Sequence, residues 1–138
     1  MSYCRWMLAG MLALLVCGAA RGHTPYAKAM KARYELRSVS CYACHVKGKD
    51  EATGKPLGKE HLNKFGIALH AVLKDKGITA KLAAAKELER EQRDKVNEAA
   101  AAEFLSALKQ IENKPNDDDK SWRQLIESGQ LEGIKLAE

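Results

Sequence analysis

The sequence predicts a single all-α domain. Apolar residues recur at helical spacing in each long segment, and no segment alternates cleanly between apolar and polar residues. Proline and glycine stand where helices would begin and end.

The first 22 of the 138 residues read as a secretory signal. Arg5 supplies the positive start, Met7 to Ala20 is apolar but short of the ~20 residues a membrane span needs, and Ala20-Arg21-Gly22 offers small residues for cleavage. The expected domain is then 23–138, long enough for one core and not two. Thr24-Pro25 pairs a capping hydroxyl with a proline suited to the first helical position, so a helix is expected from Pro25 to about Arg37. Residues 46–59 carry three glycines and a proline and read as loop. A second helix is expected over 60–77, with Leu62, Phe65, Leu69, Val72 and Leu73 on one face. Gly66 within that face predicts a close neighbour, for which a porphyrin plane is one candidate. Residues 80–112 predict one long helix or two joined ones, carrying a stripe of Val96, Ala100, Phe104, Leu108 and Ile111. Pro115 and the acidic run 117–119 break it, and a short helix follows with Ser121 as cap and Gly129 as stop.

The chemistry concentrates in CYACH, residues 41–45. Cys-x-x-Cys-His serves haem attachment, half a zinc site or a thiol–disulfide pair. Of the four cysteines, Cys4 and Cys17 would leave with the signal, so a second pair for zinc is missing. The βαβ pattern expected around a redox Cys-x-x-Cys is also missing. Haem needs two thiols for two vinyl groups and a histidine for the iron, which Cys41, Cys44 and His45 supply. Only six aromatic residues remain after residue 22, a thin set that would suit an interior partly filled by a porphyrin.

The sixth iron position is open to several readings. A methionine downstream of the motif is the common choice, but every methionine here precedes it. His61, at the edge of the second helix's apolar stripe, is the first candidate. An empty position, Met30 and His70 are the others.

The net charge is +5, or +3 once Arg5 and Arg21 leave with the signal. Residues 23–64 carry +5 and residues 65–138 carry −2. Lys47, Lys49, Lys55, Lys59 and Lys64 would form a basic rim near the motif, able to steer an acidic redox partner. Basic and aromatic residues do not interleave as nucleic-acid binding would favour, and no stable membrane insertion is expected once the signal is cleaved.

With ARYELR, CYACHVKGK, HLNKFGIAL and SWRQLIESGQL in that order, the chain resembles the small single-haem c-type cytochrome-like proteins that planctomycete-type bacteria export. That family pairs C-x-x-C-H-V with a helix N-x-[FY]-G-x-A-L and closes on G-x-L. Asn63, Phe65, Gly66, Ala68 and Leu69 match the second motif, and Gly129 and Leu131 the third. The resemblance covers most of 23–138, and its specific part is CYACH. It implies a cytochrome c-like helical domain around one covalent haem c, exported to the periplasm. The chain departs from the broader cytochrome c pattern in lacking a downstream methionine. The function expected is one-electron transfer, without bond chemistry on a substrate. The alternatives are a five-coordinate haem protein for gas binding or peroxide chemistry, and a haem subunit of a larger oxidoreductase.

Overall fold

A computed structural model describes residues 24–58, 60–74 and 77–138. The expected signal, 1–22, and His23 lie outside the described residues, as does the side chain of Thr24 with its expected cap.

Helix α1 spans Thr24–Arg33 and ends earlier than its sequence pattern suggests. Glu35 adopts φ 50°, a left-handed conformation that stops a helix and turns the chain away. Strand β1, Leu36–Val39, follows directly. It pairs antiparallel with β2, Ile134–Leu136, matching Leu36 with Leu136 and Val39 with Ile134. The expectation of an all-α chain is therefore wrong: the protein is mixed, 55% helical with one small two-stranded sheet. The reason is physical. Four and three residues are too few for alternation to register, and partners almost a hundred residues apart leave no local hairpin signal.

Helix α2 is Lys64–Leu73, α3 is Ile78–Ala84, α4 is Arg90–Ile111 and α5 is Trp122–Glu127. Short 3₁₀ turns cover Cys41–Ala43 and Ala85–Glu87. Helix α2 starts at Lys64 rather than Glu60 because Asn63 caps it, accepting a hydrogen bond from the Gly66 amide at 2.8 Å. Ser121 and Gln124 form a reciprocal capping box on α5. Gly129, at φ 71°, follows the end of that helix.

One main core joins these elements. Met30 of α1, Phe65 and Leu69 of α2, Phe104, Leu108 and Ile111 of α4, and Trp122 and Ile126 of α5 are buried together. Tyr26 stacks on Phe104 at 4.8 Å between ring centres, and Phe65 meets Trp122 at 5.3 Å. Leu36, Leu131 and Ile134 seal the sheet side. A smaller cluster of Ile78, Leu82 and Ala100 holds α3 against α4. Among the described residues, no helix is long and apolar enough to cross a membrane.

A buried ionic cluster ties three elements. Glu112, at the C-terminal end of α4, is 3% exposed. Its carboxylate accepts hydrogen bonds from Arg33 Nη2 at 2.7 and 2.8 Å, Tyr34 Oη at 2.5 Å and Arg123 Nη2 at 2.6 Å. Burial alone would raise its pKa, but the donors from Arg33, Tyr34 and Arg123 outweigh it and hold the carboxyl at about 2. The same environment pushes the Tyr34 phenol up to about 12, by burial first and by its bond to the Glu112 carboxylate second.

Candidate functional site: the Cys41–His45 turn

Residues 41–45 form a single helical turn. The amides of Cys44 and His45 both donate to the Cys41 carbonyl, at 3.2 and 3.0 Å. This spacing puts Cys41, Cys44 and His45 at positions i, i+3 and i+4 of the turn. Ala43, between them, is 1% exposed in the core. The turn is thus anchored by Ala43; Cys44 packs against the same core, while Cys41 is exposed.

The turn is enclosed from two directions. Ahead of it, residues 61–63 run antiparallel to 44–46. The Asn63 amide donates to the Cys44 carbonyl at 3.0 Å, and the Val46 amide donates to the His61 carbonyl at 2.9 Å. The Asn63 side-chain amide also donates to the carbonyls of Tyr42 and Ala43, at 3.0 and 3.1 Å. Behind it stands Gly133, just before β2. Its carbonyl accepts from the Ser40 amide at 2.7 Å, and a β-carbon there would lie 2.3 Å from the Ala43 nitrogen. Sequence reasoning missed Gly133 altogether and saw Asn63 only as a motif match. The close neighbour of Gly66 is the Cys44 carbonyl rather than a porphyrin.

The two thiols differ. Cys41 is exposed, while Cys44 is largely enclosed, and both are free. Burial, helped by the charge of Cys41, pushes the Cys44 thiol up to about 12. The His45 ring is half-buried, and its Nδ1 is buried without a hydrogen-bond partner. Such an orphan costs on the order of 1–3 kcal/mol unless something else compensates for it. Among the described residues, no three His, Cys, Asp or Glu side chains form a group that could hold a metal ion alone. A porphyrin supplies four nitrogens to its iron, so the trio Cys41, Cys44 and His45 fits that group on donor chemistry. Tyr42 (42% exposed) and Val46 (37%) give apolar surface on the same turn.

The other expected ligands are placed as follows. His61 is exposed, with Nε2 3.5 Å from Glu60. Residues paired across an antiparallel bridge share a face, so His45 and Leu62 lie on one side while His61 and Val46 lie on the other. Met30 is 1% exposed, inside the core. His70 is exposed on α2, one turn beyond Gly66. The structure therefore brings His61 beside the turn by its backbone, but turns its side chain away from the face of His45.

Of the basic rim, Lys47, Lys49 and Lys55 are exposed on the loop after the turn, and Lys47 Nζ lies 5.9 Å from the Tyr42 ring centre. Lys64 is spent on an ion pair with Asp117, and Lys59 lies outside the described residues. Comparisons with protein-family profiles, with curated proteins and with solved structures return no match.

Proposed function

We propose that this chain carries one covalent haem c and transfers single electrons in the bacterial periplasm. The observation that carries the proposal is the Cys41–His45 turn, with two free thiols and an imidazole at positions i, i+3 and i+4 of a single helical turn. The thiols of Cys41 and Cys44 would each add across a vinyl group, sulfur to the inner carbon and hydrogen to the outer, with no oxidant or reductant consumed. His45 would supply the fifth ligand. The bound haem would supply a one-electron couple, and Cys41, Cys44 and His45 would hold it with an edge open to a partner. Lys47, Lys49 and Lys55 would steer an acidic redox partner to that edge, an attraction that salt weakens. The apolar run before Ala20 supports export.

A test is to express the chain with a c-type maturation system and extract it with acid–acetone. Haem that stays with the polypeptide, with the alkaline pyridine spectrum of two thioethers, supports the reading. Haem that extracts freely overturns it.

A second reading has specific support. Met30 is enclosed, and His61 is locked beside the turn through the Val46 amide with its side chain turned away from His45. The sixth iron position would then be vacant and the protein would bind a small gas. Carbon monoxide separates the two. Slow binding that turns fast in His61→Ala assigns His61 as the sixth ligand and favours the carrier. Immediate binding to the unaltered protein favours the gas-binding reading.

A further inference from the structure

We infer that Asn63 is the positioning residue of the attachment turn, fixing Cys41, Cys44 and His45 in the arrangement a porphyrin requires; this rests on the haem reading above. The carbonyls at the end of a helical turn have no partner within it. Three such carbonyls follow Cys41, and one residue satisfies all of them. The Asn63 side-chain amide donates to Tyr42 and Ala43, and its backbone amide donates to Cys44. Two carbonyl acceptors fix which end of the side chain is the nitrogen. The remaining oxygen accepts from the Gly66 amide and caps α2. Asn63 therefore joins the turn to the helix that covers it, with both ends of its side chain engaged.

The chemistry explains why this matters. Two vinyl groups and an iron sit at fixed positions on a rigid ring. Two thiols and an imidazole must meet them together, and a loose turn would let one thiol bond while the other misses. Cys41 is exposed, so the held partner is Cys44, whose carbonyl accepts from the Asn63 amide and lies where a β-carbon on residue 66 would stand.

Asparagine's two functions can be separated. Asn63→Asp keeps an oxygen for the cap but replaces both donors with an oxygen that repels carbonyls. Asn63→Ser also keeps a capping oxygen, in a smaller and uncharged side chain. The experiment uses the full chain in two forms. In the haem-loaded form, the alkaline pyridine spectrum and intact mass give the ratio of two-thioether to one-thioether product. In the haem-free form, the rate of Cys44 alkylation reports how often the turn opens. Both variants are expected to lower the two-thioether fraction at least about threefold and to speed Cys44 alkylation about tenfold, with circular dichroism unchanged. A haem-loaded wild type alongside variants with wild-type thioether ratio and alkylation rate would overturn the role of Asn63 alone. A wild type without thioether-bound haem would overturn the haem reading and this inference together.

Discussion

A β-carbon placed on Gly66 would stand 2.0 Å from the Cys44 carbonyl oxygen. Helix α2 thus lies directly on the backbone of the Cys-x-x-Cys-His turn, and Asn63, three residues earlier, makes the hydrogen bonds that hold it there. The contact leaves no room for any side chain at position 66.

Gly66→Ala is therefore expected to destabilise the protein, against its helix propensity. Alanine gains about 1 kcal/mol over glycine within a helix. Relieving a backbone contact this short requires α2 to shift, at roughly 1–3 kcal/mol or more. A lower denaturant midpoint is the expected result, and a higher one would show that the helix moves freely. Gly133→Ala should behave alike, since it also has φ 77° and would press on the Ala43 nitrogen.

Glu112 predicts an acid-sensitive step. Its pKa in the folded protein, about 2, is below the ordinary 4.5 that it regains on unfolding. Its contribution is complete above pH 4.5 and disappears as pH falls through about 2. The loss should reach roughly 2–3 kcal/mol. Urea midpoints between pH 6 and pH 2 would measure it. Glu112→Gln should be less stable than wild type at pH 6 and lose less on acidification. Parallel curves for the two proteins would show that other carboxylates govern the acid response.

The thiols of the haem-free chain should label at very different rates. With its pKa near 12, the Cys44 thiol at pH 8 is ionised in only about one molecule in ten thousand, and it is enclosed as well. Cys41 is exposed. Iodoacetamide followed by peptide mapping should find Cys41 modified first, by at least about tenfold in rate. Equal rates would mean that the turn is open in solution.

Ser121→Ala removes the oxygen that accepts from the Gln124 amide and opens the capping box of α5. A loss of about 1 kcal/mol in chemical denaturation is expected. Ser121→Asp should retain most of the stability, since aspartate caps as well as serine.

Several elements were legible from local pattern. The apolar stripe of α4 is read from Val96, Ala100, Phe104, Leu108 and Ile111; the last four are buried in the structure and Val96 is half-buried against the smaller cluster. The start and stop of α5 are read from Ser121 and Gly129. Helical burial repeats every three or four residues, so a short window contains the signal. The buried position of Glu112 was not legible. A glutamate near the end of a helix looks solvated until Arg33, Tyr34 and Arg123 arrive from other elements.

The amino-acid sequence by itself determined the chemistry on offer: two thiols and an imidazole at spacing i, i+3 and i+4, punctuation that divides the chain into helices, and an uneven charge with the basic excess around the motif. Those are properties of neighbours along the chain. The tertiary structure alone decided which residues hold that chemistry in place. Asn63 and Gly66 reach the turn from about twenty residues away, and Gly133 from about ninety, through a sheet of two very short strands. Each hold depends on a carbonyl left without a partner or on space too small for a β-carbon, and both conditions exist only after the chain has packed.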